Sequence, residues 1–247
     1  MFSVTRIMLV VALSLFSVIS SASTHLSNHV MAVSQSMSAF YMYSLSEGDN
    51  RYKTEYEKHF QSAESHLGKF HKEDAVSASD LQNQWKRLRP GLKYDFVDGA
   101  GYIIPVAVRN EFRAYLTKAY SKLTNTLGSE MDFNKELFHM GLSVEVMSAR
   151  FFDISSALYG TMSIANKDGA IDPIQMAKNL NARLERAKSL NIPDAIKRDL
   201  RQVQTKWRFI EDSVVNYKDE AAYLLVYFNK SKITKLLNNS QNLLAKA

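Results

Sequence analysis

Histidine is the residue type with the most evident metal chemistry in this chain of 247 residues, which has six histidines and no cysteine. His25 and His29 are four residues apart, so on a helix their imidazoles share a face and can share a metal ion. If a leader is removed after Ala22, His25 becomes the third residue of the mature chain. A free amine, two backbone amides and that imidazole form a square-planar nitrogen site for Cu(II) or Ni(II). The alternative is a solvated terminus whose histidines bind nothing.

The absence of cysteine excludes several other kinds of site. Disulfides, thiolate zinc sites, iron–sulfur clusters, covalent haem and thiol nucleophiles all require that residue. Non-covalent haem is not expected, because methionine is an ordinary core residue. A di-iron site is not expected either, because the chain does not have both of the Glu-x-x-His pairs that such a site requires. The chain also has no Gly-x-Ser-x-Gly motif, phosphate-binding glycine loop or Rossmann fingerprint. We therefore predict a protein that is not an enzyme and has no cofactor.

Two tryptophans with basic neighbours form the best ligand-binding motif. An arginine fork binds a carboxylate or phosphate in a bidentate manner, and a neighbouring indole supplies an apolar wall. The alternative is a solvated helix face, on which the basic side chains point away from a buried tryptophan. The candidate ligand-binding residues are Trp85, Lys86, Arg87, Arg89, Trp207 and Arg208.

The elements that would position these residues are helices. Nine glycines and four prolines are too few for the turns of a β-sandwich or barrel. Apolar residues recur instead at alternating steps of four and three, which predicts helices with one buried face. The longest such series is Phe133, Leu137, Met140, Val144, Met147, Phe151, Ile154 and Leu158. The predicted fold class is all-α.

Turn and capping residues divide the chain into about eight helices. Glu47–Asn50 separates the first two, and Asn191–Asp194 opens the seventh. Ser77 or Ser79-Asp80 is the predicted N-cap of the third helix, and Asp172-Pro173 is a predicted N-cap followed by proline at N1. The loop 98–105 precedes the fourth helix, and its aliphatic side chains are expected to plug the end of the bundle. Pro105, the last residue of this loop, is predicted to lie in the first turn of that helix.

An internal repeat indicates that this helical pattern occurs twice. Both tryptophans lie in a four-three-four series, and the two series are 122 positions apart. Met37-Ser38-Ala39 has a counterpart in Met147-Ser148-Ala149 at a different offset. These matches predict two tandem antiparallel four-helix bundles, residues 24–128 and 129–247, with one elongated bundle as the alternative. The two series are Leu81, Trp85, Leu88 and Leu92, and Val203, Trp207, Ile210 and Val214.

The first 23 residues have the composition of a secretory signal peptide. Arg6 precedes an apolar run of thirteen residues, Ile7–Ile19, and small residues follow at the predicted cleavage site. The run is shorter than the ~20 residues that span a bilayer, so cleavage after Ala22 is favoured over a transmembrane anchor. The expected location is therefore the periplasm or the exterior, with no stable membrane insertion after cleavage.

Parts of the first and third predicted helices resemble the PilJ/NarX-type sensor domain, an extracytoplasmic helical bundle of bacterial chemoreceptors and nitrate-responsive kinases. The matching positions of the first helix are Ser34, Gln35, Met37 and Tyr41, and a tryptophan-bearing segment follows at 85–90. The resemblance implies a helical fold outside the cytoplasm and a sensor-accessory role. The arginines that the family carries in the first-helix box are missing from 31–37, so nitrate binding is not implied.

These observations together predict an exported, non-enzymatic protein for recognition in the periplasm. Its expected partner is a small ligand or an envelope protein of a membrane-bound sensory system, and a homodimer is left open. An assembly factor of an envelope machine is one alternative, and a metal or haem carrier is another. The net charge of +6 falls to +5 without Arg6 and is dispersed, so no nucleic-acid partner is expected.

Overall fold

The described residues form eight α-helices and one short 3₁₀ helix, which confirms the predicted all-α class. This computed structural model describes residues 2–92, 102–126, 132–157, 168–217 and 222–246, with side chains from Thr24 onward except Pro90 and Gly91. Among these residues the only β-type pairing is an isolated bridge between Asp168 and Ile171. The helices are α1 (Phe2–Leu45), α2 (Asn50–Glu73), α3 (Ala75–Leu88), α4 (Val106–Thr126), α5 (Phe133–Ser155), α6 (Pro173–Lys188), α7 (Asp194–Asn216) and α8 (Tyr223–Leu244), with the 3₁₀ helix at Arg89–Leu92.

The helices pack as two sets of four that meet along one pair of helices. In the first set α1 packs against α2 and α4, and α3 lies against both of these. In the second set α5 packs against α8, α6 and α7, and α7 lies against α6 and α8. An extensive contact between α1 and α5 joins the sets, and the buried side chains form one connected core. Two separate tandem bundles therefore remain a prediction, as does the boundary at residue 128, which lies outside the described residues.

Small buried residues occur on both α1 and α5, the two helices that join the sets. Ser34, Ser36 and Ser38 of α1 and Ser148 of α5 are fully buried. Gly141 of α5 faces both α1 and α8. A Cβ at this position would lie 3.8 Å from the Met31 methyl group of α1 and 3.6 Å from a methyl group of Leu237 on α8. The buried stripe predicted for α5 is confirmed from Leu137 to Ile154, and Leu158 lies outside the described residues.

The members of the internal repeat occupy corresponding helices. All eight residues of the two tryptophan series are buried, the first on α3 and the adjoining 3₁₀ helix and the second on α7. Met37-Ser38-Ala39 lies on α1 and Met147-Ser148-Ala149 on α5, and these six residues are also inaccessible to solvent. The repeated pattern therefore marks the first and third helices of both sets.

Aspartate side chains cap four of the helices. Asp172 accepts a hydrogen bond from the Gln175 amide with Pro173 at N1, as predicted. The predicted cap of α3 at Ser77 or Ser79-Asp80 is wrong, because Asp74 caps that helix one turn earlier and accepts the Ser77 amide. Pro105 immediately precedes α4 and its carbonyl accepts the Arg109 amide, so it lies at the cap rather than within the first turn.

The turn between α1 and α2 is closed by Tyr102. Glu47 and Gly48 have positive φ angles of 54° and 86°. The Tyr102 ring packs over Gly48 and against Tyr43, and the Tyr102 carbonyl accepts a hydrogen bond from Ser44 Oγ. Ile104 is buried as well. The described part of the 98–105 loop therefore plugs this end of the first set, as expected; residues 98–101 lie outside the described residues.

Within the part of the chain whose side chains are described, no helix combines the length and apolar composition that crossing a membrane requires.

Replacing Gly48 should weaken the fold at this turn. In Gly48→Ala the new Cβ would overlap the Tyr102 ring, and a positive φ is strained for alanine. We expect a loss of roughly 1–3 kcal/mol in the free energy of unfolding, measured by urea denaturation. Gly68→Ala is the matched control. Its Cβ meets no atom within 4 Å inside α2, so it should gain up to about 1 kcal/mol. Equal effects from both variants would contradict this role of Tyr102.

Candidate functional site

The two tryptophans are core residues. Trp85 stacks on Phe60 with ring centroids 4.8 Å apart and is almost fully buried. Trp207 is completely buried, and its indole N–H donates to Asn181 Oδ1 at 3.1 Å. Because both indoles are enclosed by protein, they stabilise the two helical sets and do not form the wall of a ligand site.

The basic neighbours of the tryptophans lie on the surface. Lys86, Arg87, Arg89 and Arg208 are exposed. Arg89 lies 3.3 Å from a carboxylate oxygen of Glu64, and Arg208 lies 3.8 Å from one of Glu185. The structure therefore places these cations on solvated helix faces, and ligand binding there remains a prediction.

His25 and His29 have different environments. His29 is fully buried, with Nδ1 2.8 Å from the Ala63 carbonyl and Nε2 2.7 Å from the Tyr115 hydroxyl. Both of its nitrogens are thus occupied, so in this arrangement it cannot share a metal ion with His25. His25 lies 3.5 Å from Glu73 and its ring contacts His66. Among the described residues, no group of three or more histidine and carboxylate side chains could hold a metal ion. A copper or nickel site at a processed N-terminus remains a prediction.

The four motif positions of α1 have separate roles. Ser34 donates its hydroxyl to the Val30 carbonyl, and Met37 packs in the core. Gln35 is half-buried and lines a polar cavity. Tyr41 is fully buried beside Arg109, whose guanidinium carbon lies 5.8 Å from the ring centre.

The candidate site is that polar cavity, which has a volume of about 550 Å³ and lies where the two helical sets meet. We call it the central groove. Four helices contribute to it: α1 and α2 from the first set, and α5 and α8 from the second. Its lining residues are Gln35, Glu55, Lys58, His59, Glu145, Tyr227, Lys230, Ser231, Thr234, Lys235, Asn238, Asn239 and Asn242.

A buried ion pair forms the floor of the central groove. Lys230 Nζ of α8 lies 2.7 Å from Glu145 Oε2 of α5, and both side chains are at most 3% exposed. Thr234 Oγ1 donates to the other carboxylate oxygen of Glu145 at 2.8 Å. Lys230 also lies 4.8 Å from the centre of the Tyr227 ring. Burying such a pair is no more favourable for folding than burying well-packed apolar residues.

Residues of α2 form one wall of the groove. The Tyr227 hydroxyl donates to Glu55, which connects α8 to α2. Burial lowers the pKa of His59, and the charge of Lys230 lowers it further, although Glu145 and Glu55 oppose this. His59 is therefore neutral at pH 7 and can both donate and accept a hydrogen bond in the groove.

The sequence does contain a signal for the groove. Lys230 and Thr234 interrupt the apolar face of α8 that contains Val226, Ile233 and Leu237, and Glu145 follows Val144 on the buried face of α5. A lysine or glutamate on an otherwise apolar helix face must find a partner inside the protein. Their pairing spans 85 positions and is invisible to local periodicity.

A smaller cavity of about 320 Å³ lies between α6 and α7. Leu184, Ala187 and Leu200 line it together with Lys188, Lys197, Arg201 and Gln204. Only one helical set contributes to it, and it contains no buried ion pair among the described residues.

Comparison with known proteins gives no relative: no family model, curated protein or solved structure matches the chain.

Breaking the buried pair should be more damaging than removing it. Lys230→Met leaves Glu145 charged and buried, so we expect a loss of about 3–5 kcal/mol in the free energy of unfolding. The double variant Glu145→Leu/Lys230→Met should recover most of that loss. Lys178→Met, an exposed change on α6, should stay within about 0.5 kcal/mol of the wild type. Urea denaturation measures all three, and a double variant less stable than Lys230→Met would contradict the assignment.

His29 should make the fold sensitive to acid. Burial lowers the pKa of His29 to about 4, whereas an unfolded histidine titrates near 6.5. Between these values the unfolded state binds more protons, so stability is complete above pH 6.5 and falls as the pH drops towards 4, by up to about 3 kcal/mol. Denaturation of wild type and His29→Gln over this pH range measures the effect. The variant should show a weaker pH dependence, and identical slopes would be evidence against it.

Proposed function

We propose that the protein is exported and binds a small polar solute in the central groove, as a recognition protein rather than an enzyme. The observation that carries this proposal is the polar cavity over the buried Glu145–Lys230 pair, at the contact between the two helical sets. A recognition role with a small ligand requires such a cavity between helices, whereas a filled core would favour a scaffold.

The size of the central groove supports a small ligand. Cavities that hold small molecules have volumes of about 300–1,000 Å³, and this one is about 550 Å³. Its lining combines three lysines, three asparagines and Gln35 with two glutamates. Hydrogen-bond donors predominate, so the proposed ligand carries acceptor oxygens, as hydroxylated solutes and small carboxylic acids do.

The position of the groove supports a role in recognition. Lys58 on α2 and Lys235 on α8 come from different helical sets and line the same cavity. A solute that contacts both would stabilise the packing of one set against the other, which is one way for a binding protein to report occupancy. A sensor-accessory role, implied by the PilJ/NarX-type resemblance, fits this arrangement, and the proposed export rests on the signal peptide predicted at residues 1–23.

An assembly or scaffold role is the second candidate function. Phe209 on α7 and Phe228 on α8 are 64% and 52% exposed, and Leu224 and Leu225 at the start of α8 are also accessible. Exposed aromatic and leucine side chains favour contact with another protein. This candidate uses the outer faces of α7 and α8 and does not use the groove.

Solute binding is tested by thermal unfolding of the processed protein with amino acids, sugar acids and polyols. A bound solute raises the melting temperature, because a ligand at 100 times its Kd stabilises a protein by about 2.7 kcal/mol. We expect Lys58→Glu and Lys235→Glu to weaken a stabilising solute at least tenfold in isothermal titration calorimetry. Lys178→Glu makes the same charge change outside the groove and should bind normally. A panel without any stabilising solute, or equal binding by all variants, would refute the proposal.

The variant Phe228→Asp distinguishes the scaffold function from the solute-binding function. This substitution should abolish recovery of an envelope partner in a pull-down if α8 is a docking surface, and it should leave solute binding in the groove unchanged.

A further inference from the structure

A second polar cluster lies at the end of α5. Asp153 is completely buried and accepts hydrogen bonds on Oδ1 from Arg109 Nε and Nη2 at 3.2 and 3.0 Å. Its Oδ2 accepts from Arg113 Nε at 2.6 Å and from Arg150 Nη1 at 3.1 Å. We call these four residues the arginine cluster. It uses α4 and α5, whereas the central groove uses no residue of α4.

Two arginines of α4 form ion pairs with the single carboxylate of Asp153. Arg109 and Arg113 are one helical turn apart, and their side chains are 8% and 17% exposed. The negative charge of Asp168 interacts electrostatically with Arg113, but the two side chains are too far apart to form an ion pair. Arg109 Nη1 and Arg113 Nη2 donate to no described group, so each guanidinium retains N–H donors beside Asp153.

Two buried phenol hydroxyls next to this cluster form no hydrogen bond of full geometry: that of Tyr41 on α1, which interacts with Asp153, and that of Tyr217 after α7, which interacts with Arg150. Both side chains are more than nine-tenths buried. Asp153 and Arg113 act electrostatically on both phenols. A buried donor without a well-formed hydrogen bond is unfavourable, so an acceptor that satisfied both would be bound with a gain in free energy.

The backbone holds Tyr217 in an uncommon conformation. Its φ and ψ angles are 52° and 29°, which lie in the left-handed region of the backbone map. Residues other than glycine and asparagine rarely adopt this conformation. The chain therefore accepts local strain and still buries this ring beside the cluster.

We propose that the arginine cluster and the hydroxyls of Tyr41 and Tyr217 bind a small oxyanion, a carboxylate or a tetrahedral anion of the phosphate and sulfate type, at a site separate from the central groove. The forks of Arg109 and Arg113 match the spacing of such oxygens. The two phenols donate the remaining hydrogen bonds. Arg113 is the most exposed of the three arginines.

A purely structural role makes different predictions. If the cluster only joins α4 to α5, its stability should not depend on which anion is present. Tyr→Phe substitutions at these two hydroxyls should leave basal stability unchanged or slightly higher in either case. The anion dependence of the melting temperature therefore distinguishes the two roles.

The experiment is thermal unfolding of the processed protein with 0–10 mM sodium phosphate, sulfate or acetate, at an ionic strength held constant with sodium chloride. We expect a saturable rise in melting temperature with at least one anion. Acetate alone would identify a carboxylate site, and phosphate or sulfate a site for tetrahedral anions. In Tyr41→Phe/Tyr217→Phe the apparent affinity should fall at least tenfold, with basal melting preserved.

Two controls protect this interpretation. Tyr120→Phe, further along α4, removes a hydroxyl outside the cluster and should keep the full response. Lys235→Glu in the central groove should also keep it, so failure of the solute proposal and failure of this one are distinguishable. The oxyanion site is overturned if none of the three anions raises the melting temperature saturably, or if the double tyrosine variant responds as the wild type does.

Discussion

The close packing of α1 against α5 is the constraint on which the rest of the structure depends. These are the only two helices that join the sets extensively in the described chain. The Met31 methyl group approaches Gly141, and Gln35 lines the same groove as Glu145. Both pairs are 110 positions apart, as are Met37 and Met147 of the internal repeat. Equivalent positions of the two central helices therefore lie side by side.

This packing also explains where the polar groups are found. A helix surrounded by other helices has few faces left for water, so a charged residue on α5 must be neutralised by a neighbouring helix. Glu145 finds Lys230 on α8, and Asp153 finds Arg109 and Arg113 on α4. The central groove and the arginine cluster are two of the places in the described chain where charged side chains of α5 are buried, and Glu136 with its partner Arg186 is a third.

Local features of the fold could be predicted from the sequence, and long-range pairings could not. The apolar stripes of α3, α5 and α7 follow from spacing alone, and the Asp172-Pro173 start of α6 follows from capping chemistry. Asp74 was missed as a cap because several capping residues follow it within two turns. The groove and the cluster could not be predicted because the pairings that form them are long-range: Arg113 and Asp153 are 40 positions apart, and Thr234 and Glu145 are 89 apart. The tryptophan motif was overvalued, since the regular spacing that drew attention to it is the spacing of a buried face.

Because α1 and α5 belong to one polypeptide, equivalent positions on the two helices can carry different residues. Two identical subunits that packed along such a pair would have the same residue on both sides of the contact, and a buried charge would then appear twice. A single polypeptide is free of that restriction. Gln35 and Glu145 occupy equivalent positions, yet only one carries a charge, and Tyr41 corresponds in the same register to Phe151. Covalent linkage also keeps the halves at a high effective concentration, so their contact can contain polar groups that a reversible dimer would tolerate less readily.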